Sequence, residues 1–411
     1  MVYGESKPYP LQSGPIQHLM DQPAIVSEVM AALNRVLPSQ RPIALHEPKF
    51  GGNEWQYVKN CLDTGWVSSS GSHVSRFEQL LQDFTGAPYA VAVVNGTAAL
   101  HIALQLAGVR PGDEVITPAL SFVATANAIS YCGGIPHFMD SESATLGANP
   151  VALAEYLSDI ARVSSGVCFN RITGRPLRAV IPMHTFGHPV AIDGFLELCN
   201  RFGLALVEDA AESLGSYYGN RHTGTFGLLG TLSFNGNKII TTGGGGAILT
   251  NDKGLAQQAK HLTTTAKTNH RWTFSHDQLG YNYRLPNINA ALGCAQLEQI
   301  SGFLAAKRRL AARYHEAFSS VSDATLFSEP PGCRSNYWLN TLLLDQPSES
   351  LLDTLLETTN EEGILTRPAW TLMHHLPMYA TCPKMHLPVA EDLAKRLLNL
   401  PSSVLLESID G

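Results

Sequence analysis

Lys238 closes the segment Ser233-Phe234-Asn235-Gly236-Asn237-Lys238, and the glycines Gly243 to Gly246 follow shortly after. About thirty residues upstream stands a second landmark, Val207-Glu208-Asp209-Ala210-Ala211-Glu212. A lysine amine can form a Schiff base with an aldehyde, and a carboxylate can keep a pyridine nitrogen protonated. Pyridoxal phosphate (PLP) needs both from its protein. A third segment, Asn95-Gly96-Thr97-Ala98-Ala99, falls between a strand-like and a helical stretch. Gly96 allows close backbone approach, Thr97 can cap the helix, and free amide hydrogens with the helix dipole favour a phosphate. Ser233 can add a hydroxyl to the same phosphate. Alone, each feature has an ordinary reading: a solvated lysine, an aspartate capping a helix, a glycine turn. Their order along one chain favours a PLP enzyme. Asp209 follows the apolar run Leu204 to Val207, so it should emerge at the carboxyl edge of a strand, where open α/β sheets bind ligands. Lys238 would then form the imine and later carry the proton between substrate carbon and cofactor. Phe122, in Pro118-Ala119-Leu120-Ser121-Phe122, either covers a flat cofactor or fills the core.

The elements that must position these groups alternate. Val74 to Phe84 has helical spacing and ends at Gly86, Tyr89 to Val94 reads as a buried strand, and Ala99, Ile102, Ala103 and Leu106 repeat at helical intervals. Strand-like runs recur at Glu114–Thr117, Ala179–Pro182, Leu204–Glu208, Thr231–Phe234 and Ala247–Thr250. Helix-length spacers separate most of them, which predicts an α/β fold with a mostly parallel central sheet covered on both faces. Residues 1–45 read as an N-terminal extension with one amphipathic helix, Ile25 to Leu37. Residues 46–300 read as the large cofactor-binding domain and 301–411 as a smaller C-terminal α/β domain. One long helix is expected from Asn289 to about Phe318.

The chain has 411 residues, 44% hydrophobic and 15% charged, with a net charge of −7. That balance fits a globular enzyme and argues against nucleic acid or an anionic membrane as partner. No apolar run approaches the ~20 residues of a membrane span, and Met1 to Pro10 lacks a signal-peptide design. Seven cysteines lie singly, without a Cys-x-x-Cys pair, so neither a disulfide framework nor a zinc site is indicated and a reducing cytoplasm is expected. His374-His375 has no acidic or cysteine partner at ligand spacing in the sequence, so no metal is expected.

Taken together, Asn95–Leu100, Gly112-Asp-Glu-Val-Ile-Thr-Pro118, His184-Thr-Phe-Gly-His-Pro189, Glu208–Ser213, Ser233-Phe234 with Lys238, and Gly280-Tyr-Asn-Tyr-Arg284 resemble the DegT/StrS nucleotide-sugar aminotransferases. The resemblance covers about Glu47 to Ser403 and implies a fold-type I PLP enzyme. It implies Lys238 as Schiff-base lysine and Asp209 as partner of the ring nitrogen. It places Glu212 near the ring hydroxyl, Gly96, Thr97 and Ser233 on the phosphate, and Phe122 over the ring. It also implies a homodimer with shared active sites, in which Asn282 contacts the partner's PLP phosphate. Trp66, His184, Lys267, Tyr283, Arg284 and Arg367 are the candidates for binding the nucleotide-sugar. Leu262–Lys267, His276-Asp277 and Arg367–Met373 resemble transaminases of UDP-linked 4-keto-6-deoxy-N-acetylhexoses, as in bacillosamine and legionaminic acid pathways. The resemblance thus implies amino transfer, with glutamate as donor, to C4 of such a sugar for cell-surface glycans. The alternatives are a GDP-4-keto-6-deoxymannose aminotransferase of perosamine type and a non-catalytic PLP-binding regulator. A dehydratase variant of the same fold carries His at the lysine position, which Lys238 speaks against. Gly243–Gly246 departs from the family's usual Gly-Glu-Gly-Gly.

Overall fold

Buried alternation builds the main sheet. The structure, a computed structural model, describes residues 24–407. In chain order come strands β1 (Tyr89–Val93), β2 (Glu114–Pro118), β3 (Ile135–Met139), β4 (Ala161–Ser164), β5 (Val167–Asn170), β6 (Pro176–Val180) and β7 (Ala205–Asp209). Two short strands follow, β8 (Tyr217–Tyr218) and β9 (Arg221–His222), then β10 (Leu229–Ser233) and β11 (Gly246–Thr250). The main path runs β1-β11-β10-β7-β6-β2-β3, and the β4–β5 hairpin joins β6. Pairing is parallel from β10 through β3, as expected. It is antiparallel at β1–β11 and β11–β10, so the sheet is mixed. The reason is local: β10 and β11 are joined by a loop rather than a crossover helix. That loop carries Lys238.

The helices are α1 (Ala24–Val36), α2 (Glu54–Thr64), α3 (Ser72–Thr85), α4 (Gly96–Leu106), α5 (Val123–Tyr131), α6 (Pro150–Ile160) and α7 (Ile192–Phe202). After these come α8 (Lys253–Thr263), α9 (Asn287–Leu297), α10 (Ile300–Phe318), α11 (Glu349–Glu361) and α12 (Pro388–Ala394). Successive strand residues point to opposite faces. Val91, Val93, Val207 and Ile248 pack against α4, α5 and α8. Ala90, Ala92, Ala247 and Leu249 face α3 and α9 through Phe77, Leu81, Ala290 and Cys294. Both faces are therefore covered.

The long helix expected from Asn289 to Phe318 is two helices, interrupted at Glu298-Gln299. Polar partners cluster at the break: the Gln296 and Gln299 amides each donate to Glu54 at 2.6 Å, and Arg76 pairs with Glu298 at 2.8 Å. Apolar spacing continues through the break, which is why the sequence reads as unbroken.

Beyond α10, a four-stranded antiparallel sheet forms from β12 (Ala324–Leu326), β14 (Asn340–Leu344), β15 (Arg367–Pro368) and β16 (Leu397–Leu400), while β13 (Cys333–Arg334) pairs with β8. The helix expected in residues 25–37 is α1. It shares one apolar core with this sheet, since Val26, Val29 and Leu33 pack with Leu310, Tyr314, Leu342 and Leu355. The segment is part of that core rather than a free-standing appendage. Leu33 is fully buried there. Leu33→Ala should lower unfolding free energy by about 2–5 kcal/mol through lost transfer energy and a residual cavity. Chemical denaturation measures it, and a change below about 0.5 kcal/mol would mean that α1 does not stabilise the core.

Candidate active site

Two carboxylates and one ammonium meet at the carboxyl edge of the parallel strands. β7 ends on Asp209, which is 2% exposed. One carboxylate oxygen accepts from the Thr125 hydroxyl at 2.7 Å and the other from the Ala211 N–H at 3.2 Å. Burial pushes the Asp209 carboxyl up from its ordinary range, while those two donors and the Lys238 charge pull it back. Glu212 accepts from Lys238 Nζ at 3.2 Å on one oxygen and from the Phe186 N–H at 3.0 Å on the other. Its carboxyl is pushed up to about 7, chiefly by burial, against the opposing charge of Lys238.

The supports come from far along the chain. Phe186 holds φ 55°, ψ 16°, the left-handed region that non-glycine residues seldom enter, and so directs its N–H to Glu212. Gly187 follows at φ 96°, and a Cβ there would lie 2.0 Å from the Asn336 side-chain oxygen. The Asn336 amide donates to the carbonyls of Glu212 and Leu214. Trp338 donates from its indole to the Asn237 carbonyl at 2.6 Å. Its ring lies 3.9 Å from Lys238 Nζ, a cation–π contact that positions the amine.

A phosphate cradle lies on the neighbouring strands. Asn95 caps α4 by accepting from the Ala98 N–H at 2.7 Å, leaving the Gly96 and Thr97 amides at the helix N-terminus. A Cβ on Gly96 would fall 2.9 Å from the Ser233 Cβ, and one on Gly246 would fall 2.6 Å from the Asn95 carbonyl. These two glycines let the 95–97 turn close onto β10 and β11. Gly244, at the position of Glu in the Gly-Glu-Gly-Gly pattern, has no atom nearer than 3.8 Å to a Cβ position, so a side chain would fit there without a clash. Thr97, Tyr131 and Tyr283 line an adjoining cavity of about 320 Å³. Amide donors, two hydroxyls, a positioned lysine and a buried carboxylate whose ionisation calls for a cation together fit PLP. Phe122 is not in the core: its ring is 41% exposed at the start of the helix that holds Thr125.

The substrate candidates divide. Arg367 is exposed and lines a cavity of about 420 Å³ with Phe186, Asn237, Trp338 and Trp370, beside the lysine. Tyr283 lines the cradle's cavity and stacks on Tyr281 at 5.0 Å. Trp66 is exposed, with its carbonyl accepting from Asn287, and the Lys267 ammonium lies 4.1 Å from the Phe274 ring centre. Asn282 is exposed in a backbone bridge with Thr264. Two expectations need correction. His184 is fully buried, with Nε2 3.2 Å from Glu208 and Nδ1 accepting from the Val190 N–H, so its ring has no free edge for a sugar. Arg284 is 7% exposed, paired with Glu78 at 2.7 Å and donating to the Ala92 carbonyl, so it braces β1 instead. His374-His375 has no acid at ligand spacing in the sequence, but the fold brings one from α12, with Glu391 3.4 Å from His374. Thr125, Phe186, Asn336 and Trp338 escaped the sequence reading. Thr125 had a weak signal, lying one helical turn after Phe122, and Phe186 lay inside the motif His184–Pro189 without being singled out; Asn336 and Trp338 had none.

The DegT/DnrJ/EryC1/StrS aminotransferase family model matches residues 48–410. GDP-perosamine synthase of Escherichia coli O157:H7 is 38% identical over 88% of this chain and 93% of its own. The synonymous protein of Caulobacter vibrioides is 36% identical over 90% of this chain and 95% of its own. Among solved structures, the aminotransferase TlmJ of Streptoalloteichus hindustanus superposes with a TM-score of 0.79 at 29% identity, covering 88% of this chain and 93% of that one.

The raised Glu212 carboxyl has a measurable consequence in cofactor-free protein. An unfolded glutamate ionises near 4.5, whereas folded Glu212 keeps its proton to about pH 7. Between these values the folded state binds the extra proton, so this contribution is complete below pH 4.5 and lost as pH rises through 7. Glu212→Gln should therefore flatten the fall in stability with pH across that window, by a few kcal/mol in total. Denaturation at a series of pH values checks this, and identical slopes would contradict it.

Proposed function

Because the chain belongs to the DegT/DnrJ/EryC1/StrS aminotransferase family, we propose that it transfers an amino group from L-glutamate to C4 of a nucleotide-linked 4-keto-6-deoxy sugar. The product would serve cell-surface glycan synthesis. The observation that carries this reading is Lys238 held between Glu212 and Trp338, beside the buried carboxylate Asp209. PLP, when bound, supplies the aldehyde that condenses with amines and a ring that accepts the electrons released from carbon. Asp209 would keep the ring nitrogen protonated, and Thr125 and Ala211 fix the orientation of its carboxylate. Lys238 Nζ would be both the amine that holds the cofactor and the base that moves the proton. Glu212 accepts a hydrogen bond from that amine at 3.2 Å and keeps it within reach. Gly96, Thr97 and Ser233 would hold the phosphate, and Phe122 would cover the ring.

The perosamine synthases support a GDP-linked 4-keto-6-deoxymannose as the substrate. Segments Leu262–Lys267, His276-Asp277 and Arg367–Met373 support the second reading, a UDP-linked 4-keto-6-deoxy-N-acetylhexose. Arg367 and Tyr283 are the side chains best placed for sugar nucleotide, since each lines a cavity beside the site. An isologous dimer would carry Asn282 to the partner's phosphate, because a two-fold contact exchanges the same loop in both directions. The exposure of Asn282 in its own chain supports that placement.

Three outcomes are expected. With glutamate as donor, the purified enzyme should aminate the GDP-linked keto sugar, and turnover of the UDP-linked sugar alone would transfer the assignment to the second reading. Lys238→Ala should abolish turnover and keep the fold, while Asp209→Asn should cost several orders of magnitude; a loss below about tenfold, ~1.4 kcal/mol of barrier, would assign the ring nitrogen to another group. Lys238→Ala and Asn282→Asp chains, each inactive, should regain activity when mixed and allowed to exchange subunits. A fully active monomer by sedimentation would rule the shared site out.

A further inference from the structure

His374 and His375 end the segment that begins at Arg367, in a single 3-10 turn, Met373–His375. His374 is 5% exposed, yet its Nδ1 has no hydrogen-bond partner and its Nε2 has only the Glu391 carboxylate, at a distance too long for a good hydrogen bond. Buried polar atoms left without a partner are rare in folded proteins and call for a cause. The neighbours supply one. The His374 and His375 ring centres are 4.1 Å apart, and α12 brings Glu391 Oε1 to 3.4 Å from His374 Nε2. One donor atom from each of the three residues falls within 4.8 Å of the others.

Two ligands at about 2.0–2.1 Å from a tetrahedral zinc ion stand roughly 3.3 Å apart. The His374–Glu391 separation matches that spacing, and it is long for a hydrogen bond. Two imidazoles and one carboxylate are a donor set that binds zinc-class ions and leaves a fourth position open. An approach path exists as well. His375 and Glu391 line a cavity of about 530 Å³ whose wall also carries Asp353, Glu349 and the Lys395 that pairs with Glu349 at 3.2 Å, so an ion can reach the two ligands from solvent. We propose that His374, His375 and Glu391 form a binding site for a divalent transition-metal ion of the zinc class. The ion would tie the Arg367–His375 segment to α12. That segment supplies Arg367 and Trp370 to the cavity beside Lys238, so the metal would brace one wall of the active site without touching the chemistry.

The test is equilibrium dialysis of the PLP-loaded enzyme against Zn2+, with bound metal counted by elemental analysis and thermal midpoints recorded in parallel. His375 and Glu391 are exposed, so His375→Ala and Glu391→Gln should fold normally. The native enzyme and His270→Ala, which removes an exposed histidine elsewhere, should bind about one zinc per chain and melt higher with zinc present. His375→Ala and Glu391→Gln should lose both the stoichiometric zinc and the thermal shift. Absence of bound zinc in the native enzyme, or equal binding by both variants, would overturn the proposal.

Discussion

Everything in the site depends on burying Asp209 and Glu212 beside one lysine at the edge of a sheet. Removing an ionised carboxylate from water costs several kcal/mol even after relaxation. Most of the neighbouring structure offsets that cost. Thr125 and Ala211 donate to Asp209, Phe186 donates to Glu212, and the Lys238 ammonium lies against Glu212. The two carboxylates are not equivalent. Asp209 has no cation bonded to it in its own chain among the described residues, and a protonated pyridine nitrogen would supply one. Glu212 has the lysine, and burial still pushes its carboxyl up to about 7 against that charge.

The sheet topology makes this arrangement possible. Parallel strands deliver Asp209 and the 95–97 turn to one edge. The change to antiparallel pairing at β10–β11 then turns the chain back there through the loop that bears Lys238. Ser233 and Gly246 lie opposite one another in that pairing, so cradle and lysine are fixed by the same hydrogen-bonded register. Distant chain completes the site: Asn336 and Trp338 fasten the loops around Glu212 and Asn237, coupling the C-terminal part to the chemistry.

Much of this was legible in the sequence, for identifiable reasons. Asp209 and the Asn95–Thr97 turn sit at strand ends, and Lys238 lies in the loop just past β10; the apolar runs of these strands are short and clear, so both their elements and their edge were readable. His184 and Arg284 were misjudged because their partners, Glu208 and Glu78, become neighbours only through strand pairing and helix packing. Glu391 was invisible as a partner of His374 because it lies on another helix. Trp338 had no spacing relation to Lys238 at all. The break at Glu298-Gln299 was hidden by apolar periodicity that runs through it, since its cause is polar contact with α2 and α3.

The central claim is that Lys238 is the residue that holds PLP. Borohydride reduction of the loaded enzyme fixes the cofactor to whichever amine carries it, and digestion with mass spectrometry then locates the pyridoxyl group. The account predicts a single modified residue, Lys238, and no stable modification in Lys238→Ala. A pyridoxyl group on any other lysine, or none in the native enzyme, would contradict it.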